Sequence, residues 1–322
     1  MNLRRVWRLV LAALALLCTH AYGQAPAATA DCTPPPAPLD EAALRQGMQQ
    51  ARDHGLLWRI EKAGRSSWLY GTIHVARRDW MFPGPALMQA LQQSDQLALE
   101  LDPTDADTMG RLQAAMLAKP GQPALPPALA RRLAAQAAAA CLGDALAPLR
   151  PEMQAMTLGS LVGRRQGLEP AYGIDAFLAG MARGMRKTAV PLETPEAQMA
   201  LLLHDDPTQV NQMVAEMLDE LEGGSALTVL QRMAQGWADS QLDDLSAYPQ
   251  WCDCLNTEEQ RAFNRRLLDD RNQAMAPRIA ALHASGQRTL VAVGALHMIG
   301  PQGLPALLQA QGFKVVQVLP KS

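Results

Sequence analysis

Basic clusters are absent from this chain, histidine is scarce, and no second long apolar run follows the first. Its 29 Lys and Arg residues are scattered among 31 Asp and Glu, with no basic block interleaved with aromatic residues. This pattern argues against nucleic acid as a partner, because phosphate recognition needs clustered cations. Beyond the start of the chain, no stretch approaches the ~20 apolar residues of a membrane helix. We therefore expect no stable membrane insertion of the mature protein.

The first 23 residues have the three parts of a signal peptide. Three arginines precede the apolar segment 9–18, and Ala21-Tyr22-Gly23 supplies small residues for cleavage before Gln24. Attachment as a lipoprotein through Cys18 is an alternative, which bulky leucines just before that cysteine disfavour. The sequence thus predicts a periplasmic or secreted protein.

Cysteine is sparse, and export changes how it is interpreted. Cys32, Cys141, Cys252 and Cys254 remain after cleavage, and an even number in an oxidising compartment predicts disulfides. Three pairings are possible. Because Cys252 and Cys254 could bond to each other only in a tight ring, we expect each to pair elsewhere, or one of them with Cys141. A metal site at Cys-x-Cys is the less favoured alternative, since structural zinc sites space their cysteines more widely.

The remaining pattern predicts an α/β fold, with a central mixed sheet from N- and C-terminal strands and a large helical insertion. Residues 24–40 read as a flexible Ala- and Pro-rich leader, and 41–322 as one domain with the insertion at about 104–285. Strands are expected at 56–61, 67–74, 96–101, 189–192, 289–295 and 314–319, with a hairpin turn at 62–65. Helices are expected at 41–54, 85–93, after Gly173 and at 303–311.

The tetrapeptide pattern Gly-x-x-His occurs twice, each time after an apolar run. One copy ends at His74 and the other at His297, and the chain has only six histidines. Each copy predicts a buried strand whose carboxyl end carries a histidine, and ligands of open α/β sheets bind at that edge. Two such strands predict one shared site, although a single histidine at a strand end is more often structural.

Two glutamates complete the candidate set. Glu100 and Glu193 lie at the ends of the third and fourth predicted strands, as His74 and His297 lie at the ends of others. Imidazole nitrogen and carboxylate oxygen together suit a divalent metal such as zinc, manganese or cobalt, which can activate a water molecule. Alternatively, the glutamates cap helices or face water. Asp175 reads more readily as a helix N-cap than as a catalyst.

The ordered motifs resemble the TraB/GumN family over about residues 55–319. They are 70–74 (Tyr-Gly-Thr-Ile-His), 99–102 (Leu-Glu-Leu-Asp), 173–175 (Gly-Ile-Asp), 192–194 (Leu-Glu-Thr), 271–272 (Arg-Asn) and 293–300 (Val-Gly-Ala-Leu-His-Met-Ile-Gly). That family is related to the TIKI metalloproteases and is grouped with erythromycin-esterase-like and haem-binding ChaN-like proteins. Without the resemblance, Arg271 and Asn272 would read as surface residues.

Together with the signal peptide, the resemblance implies an exported metal-dependent hydrolase, in particular a peptidase. It implies that His74, Glu100 and His297 surround the metal, with Mn, Co or Zn as candidates. Glu193, Arg271 and Asn272 would be catalytic, Glu193 as a further acid and Arg271 as an oxyanion or carboxylate partner. The substrate would be a peptide or small molecule. The His-Glu-x-x-His signature of ordinary zinc peptidases is absent. The alternative is a non-catalytic periplasmic protein that sequesters such a ligand.

Export gives a first testable expectation. The mature protein should begin near Gln24, because the small residues before it suit signal peptidase. N-terminal sequencing of protein from the cell-envelope fraction of a bacterial host checks this. Cytoplasmic material that retains Met1 would contradict it.

Overall fold

The computed structural model describes residues 33–319. Signal-peptide residues 1–23, most of the leader 24–40, and Cys32 lie outside the described residues. The chain divides into two compact units. Of the described residues, one unit contains 39–102, 172–194 and 232–319, and the other contains 33–38, 103–171 and 195–231. Within the described range, no helix combines the length and apolarity needed to cross a membrane.

The first unit is built on a six-stranded mixed sheet, which confirms the predicted fold class. Its strands are β1 (Leu56–Lys62), β2 (Arg65–Thr72), β3 (Gln96–Leu99), β4 (Thr188–Pro191), β5 (Thr289–Gly294) and β6 (Lys314–Leu319). Their order across the sheet is β4-β3-β5-β2-β1-β6. The β4, β3, β5 and β2 strands are mutually parallel, whereas β1 runs antiparallel to β2 and β6.

Helices make up most of the remaining chain. In chain order they are α1 (Glu41–Gln50), α2 (Pro85–Gln93), α3 (Ala106–Met116), α4 (Pro127–Ala139), α5 (Gly143–Leu146), α6 (Pro151–Leu161), α7 (Ile174–Gly184), α8 (Pro195–Leu202), α9 (Pro207–Gly223), α10 (Ser225–Ala238), α11 (Leu242–Ser246), α12 (Tyr248–Trp251), α13 (Glu258–Asn264), α14 (Arg271–Ala284) and α15 (Leu304–Ala310). Short 3₁₀ turns lie at 78–81, 164–166, 170–172 and 295–298, and a π-helical segment at 265–270.

Local sequence explains the sheet directly. All four residues of β3 are buried, as is every residue of β5 before Gly294, because central parallel strands are covered on both faces. The predicted hairpin is confirmed: Lys62 pairs with Arg65 across a two-residue turn in which Ala63 and Gly64 both have positive φ.

The second unit packs helices around its own apolar core. Leu129 and Leu133 of α4, Met153 and Leu158 of α6, and Val214 of α9 belong to this cluster. Their spacing of three to five residues along each helix reflects the helical repeat that the sequence shows in this region.

Two sequence expectations are wrong in detail. The first helix ends at Gln50 rather than at His54, whose ring nitrogen Nδ1 instead lies 2.6 Å from the Ala238 carbonyl oxygen. The expected disulfide exists, but Cys252 bonds to Cys254 rather than to a distant cysteine. The tight ring closes because Asp253, between them, adopts a left-handed backbone with φ of +53°. Cys141 is also disulfide-bonded.

One exposed ion pair ties the starts of two neighbouring strands together. Asp95, just before β3, accepts hydrogen bonds from the backbone N–H and from Nε and Nη2 of Arg288, just before β5, at 2.9, 3.1 and 2.6 Å. These bonds lower the pKa of Asp95 from its usual value near 4 to about 2. The ionised carboxylate therefore stabilises the fold above pH 4, and this contribution disappears as the pH falls towards 2.

We expect Asp95→Asn to lower the free energy of unfolding at pH 7 by at most about 1 kcal/mol, because water screens an exposed pair. The difference between wild type and variant should shrink as the pH falls through 4 to below 3. Urea unfolding of both proteins at each pH measures it. A difference that stays constant with pH would show that the charge of Asp95 contributes nothing.

Candidate functional site

Four parallel strands end at one edge of the sheet, and each is followed by a predicted site residue. Beyond the strands, the N–H groups of Leu192 and Glu193 donate to the carbonyl oxygens of Leu99 and Glu100, at 2.7 and 3.0 Å. This continues the pairing of β3 with β4 and sets the two glutamates side by side. The register aligns Thr72 of β2 with Gly294 of β5, so both Gly-x-x-His copies leave the sheet at the same level.

Glu100 lies at the centre of the group and is largely buried, with 14% of its side chain exposed. Its Oε1 accepts a hydrogen bond from the Gly294 N–H at 2.8 Å, and its Oε2 accepts one from Nη2 of Arg271 at 2.5 Å. Burial raises the pKa of Glu100, but its interactions with His297, His74 and Arg271 and the hydrogen bond from the Gly294 N–H outweigh it and lower the pKa to about 2. Glu100 is therefore anionic at neutral pH.

Arg271 joins the two glutamates. Its Nε and Nη2 donate to both oxygens of Glu193, at 2.8 and 2.5 Å, in addition to the bond with Glu100. Its Nη1 donates to the Leu267 carbonyl oxygen at 3.1 Å, in the π-helical segment Arg265–Asp270. Such segments occur often at functional sites. The surface alternative for Arg271 is wrong, because its side chain is only 12% exposed and its acidic partners are site residues.

His297 is held by the residue next to Arg271. It lies in the 3₁₀ turn after β5, is almost fully buried, and its Nδ1 is 2.7 Å from Oδ1 of Asn272. Because Nδ2 of Asn272 donates to the Gln302 carbonyl oxygen at 2.9 Å, Oδ1 is the acceptor and His297 donates from Nδ1. Burial lowers the pKa of His297 to about 4, so Nε2 carries a lone pair at neutral pH. That atom lies 3.7 Å from Oε1 of Glu100.

His74 has a different environment. It sits in the bend after β2 with 65% of its side chain exposed, and its Nδ1 is 2.9 Å from Oδ2 of Asp175. The charge of Asp175 raises the pKa of His74. Asp175 is fixed in turn by a 2.5 Å hydrogen bond from the Thr72 hydroxyl to Oδ1.

The expectation that Asp175 caps a helix is wrong. Gly173 is the N-cap of α7, and Asp175 lies in the first turn with its carboxylate facing His74 and Thr72. Asp175 and Thr72 are therefore site residues that reasoning from spacing missed. The sequence signal for Asp175 was its place in Gly173-Ile174-Asp175, one of the ordered motifs.

The donor atoms surround one small space above Gly294. A methyl group added there would lie 3.4 Å from Oε1 of Glu100, 3.5 Å from Nε2 of His74 and 3.7 Å from Cδ2 of His297. The predicted trio is thus brought together by the fold. Among residues 33–319, no three His, Cys, Asp or Glu side chains stand at metal-coordinating spacing as they are placed.

The chain matches one family model and several known proteins. The model of the TraB/PrgY/gumN family matches residues 56–317. Uncharacterized protein YbaP of Shigella flexneri is 30% identical over 76% of this chain and 88% of its own length, and YbaP of Escherichia coli K12 is 30% identical over 75% and 87%. Metalloprotease TIKI1 of Danio rerio is 37% identical over 100 residues, which are 30% of this chain and 20% of the fish protein. No solved structure gives a significant match.

An added methyl group should lower the stability of the protein at Gly173 but not at Gly294. A Cβ at Gly173 would lie 2.6 Å from the His74 carbonyl oxygen, so α7 must move away from His74. We expect Gly173→Ala to lower the free energy of unfolding by about 1–3 kcal/mol, the usual cost of overpacking. Gly294→Ala meets only ordinary contacts at 3.4 Å and beyond, and should unfold like wild type.

Urea unfolding of both variants measures this contrast. Gly180→Ala within α7 is the matched control, because nothing lies within 4 Å of its added methyl. Equal stability of the Gly173 and Gly180 variants would refute the close approach of α7 to His74.

Proposed function

The chain belongs to the TraB/PrgY/gumN family, and from that premise we propose that it is an exported, metal-dependent peptidase working at the carboxyl edge of its sheet. The partial match to a protein named a metalloprotease supports the hydrolase assignment. The ordered site residues, all within the matched region, support its placement at this edge.

One observation carries the proposal. The unprotonated Nε2 of His297 faces the anionic Oε1 of Glu100 at 3.7 Å, and Nε2 of His74 borders the same space. The lone pair of His297 and the carboxylate of Glu100 repel each other where both are shielded from water, so a cation between them is favoured. Asp175 raises the pKa of His74 to about 9, so His74 would give up its Nε2 proton on binding such an ion. Two imidazoles and one carboxylate are a common ligand set of catalytic zinc sites.

The surroundings of the two histidines fit the same role. Metal-binding histidines usually donate their second ring N–H to a carboxylate or carbonyl oxygen, which fixes the ring and the tautomer. Asp175 does this for His74, and Asn272 does it for His297. We infer that Nε2 of each histidine and Oε1 of Glu100 would hold a divalent ion. Such an ion, when bound, would polarise an amide carbonyl and lower the pKa of a nearby water molecule.

Arg271 and Glu193 would support that chemistry from the side. Because every donor-bearing nitrogen of Arg271 already has a partner, its role is to position carboxylates rather than to offer a free oxyanion donor. It helps to keep Glu100 ionised and holds Glu193 beside it, although both side chains are largely buried. Glu193, adjacent to Glu100, is the residue placed to exchange a proton with a bound substrate.

A second function, sequestration of a peptide or small ligand without catalysis, is favoured by a specific observation. Glu100 is already engaged by Arg271 and the Gly294 N–H, and in the described chain no trio stands at metal-coordinating spacing. With these ion pairs in place, the edge would bind a ligand through the exposed face of His74.

Metal content and hydrolysis, measured together, separate the two functions. We expect the purified mature chain to bind about one equivalent of zinc, manganese or cobalt and to cleave a fluorogenic peptide library. His297→Ala should lose the metal and at least about 10²-fold in kcat/KM, the scale of losing an essential electrostatic group. Gly294→Ala should also lose the metal and the activity, because its methyl group fills the space between the donor atoms.

Gly180→Ala serves as the control and should retain both metal and activity. Thermal melts of all variants establish that they fold. A folded, fully metal-loaded His297→Ala protein would rule out the ligand role. Peptide binding without cleavage under all three metals would favour sequestration.

A further inference from the structure

The Cys252–Cys254 disulfide lies outside the site at the sheet edge and plays no part in the proposed function. It follows α12 within the sheet-containing unit, and its cysteines are two residues apart. A disulfide stabilises a fold mainly by restricting the unfolded chain, and this effect is smallest for the shortest loops. Stabilisation is therefore a poor explanation for this bond.

The backbone of the ring has an uncommon conformation. Asp253 has a φ of +53°, in the left-handed region that residues other than glycine seldom occupy. Nδ2 of Asn256 donates to the carbonyl oxygen and to Oδ1 of Asp253 at 3.1 and 2.7 Å, so hydrogen bonds as well as the ring fix this backbone.

Hydrogen-bond donors are directed at both sulfur atoms. The Cys254 N–H donates to Sγ of Cys252 at 3.1 Å. The Tyr248 hydroxyl lies 3.0 Å from Sγ of Cys254, and since a disulfide sulfur carries no proton, the hydroxyl is the donor. The same donors would stabilise the two thiolates after reduction, and a stabilised thiolate is a better leaving group.

The two sulfurs differ in access. Cys252 is 2% exposed, whereas Cys254 is only partly buried. An incoming thiolate therefore reaches Cys254, and Cys252 becomes the leaving thiolate, held by the Cys254 N–H.

We propose that Cys252 and Cys254 form a thiol–disulfide exchange site for dithiol partners. A thiolate of the partner attacks Sγ of Cys254, and the electron pair of the broken S–S bond goes to Cys252. The second thiolate of the partner then attacks the mixed disulfide and releases Cys254. Two electrons pass to the chain, the partner dithiol becomes a disulfide, and the two protons of the partner end on Cys252 and Cys254 or in solvent.

The test compares disulfides within one protein. The full chain is equilibrated with increasing dithiothreitol, alkylated, and analysed by peptide mass spectrometry at Cys252, Cys254 and Cys141, the last also disulfide-bonded. We expect Cys252–Cys254 to be half reduced at a dithiothreitol concentration at least about tenfold below that for Cys141, as labile bonds reduce first. Reduction of Cys141 first, or of both together, would overturn the proposal.

Two variants distinguish a thiol–disulfide exchange site from a disulfide that only stabilises the fold. Tyr248→Phe removes the hydroxyl but keeps the edge-on ring contact with Trp251 at 5.3 Å between centroids. In the reduced variant, alkylation of Cys254 should need a higher pH than in wild type. An unchanged pH dependence of this alkylation would contradict a hydrogen bond from Tyr248 to the Cys254 thiolate. Replacing both cysteines with alanine should change the melting temperature by no more than about 3 °C. A much larger fall in the melting temperature would show that the Cys252–Cys254 disulfide serves to stabilise the fold.

Discussion

The ion pair of Arg271 with Glu100 and Glu193 is the interaction on which the sheet edge depends. The two glutamates follow adjacent parallel strands and are joined by a backbone hydrogen bond of 3.0 Å, so their carboxylates are forced together in a largely buried place. Burying two close carboxylates without a cation between them is costly. A single guanidinium bridges both carboxylates and offsets their charge.

The same helix start organises the histidine side of the site. Asn272 follows Arg271 directly and accepts a hydrogen bond from Nδ1 of His297. The other ring nitrogen of His297, Nε2, therefore faces Glu100. The acidic and imidazole halves are therefore linked through two consecutive residues of α14. The π-helical segment before them supplies the Leu267 carbonyl oxygen that fixes the remaining arm of Arg271.

The two copies of the Gly-x-x-His pattern produce two unlike histidines. Their strands are neighbours, with Gly71 opposite Val293, yet His74 is exposed beside a carboxylate whereas His297 is buried beside an amide. Their glycines also differ. A methyl at Gly71 would press on the Ala295 backbone at 3.0 Å, so that glycine permits close packing, whereas Gly294 leaves space among the donor atoms. The Gly-x-x-His pattern therefore determines where each histidine lies, and the neighbouring residues determine its chemical environment.

The sequence by itself determined the strands and the edge at which His74, Glu100, Glu193 and His297 meet. Buried parallel strands read as apolar runs, and their carboxyl ends share one side of the sheet. Only the tertiary structure decided that Asp175 faces His74, that Arg271 bridges two glutamates, and that Cys252 bonds to Cys254. These pairings depend on side-chain distances and on backbone angles such as φ at Asp253, which packing sets and which residue spacing does not encode.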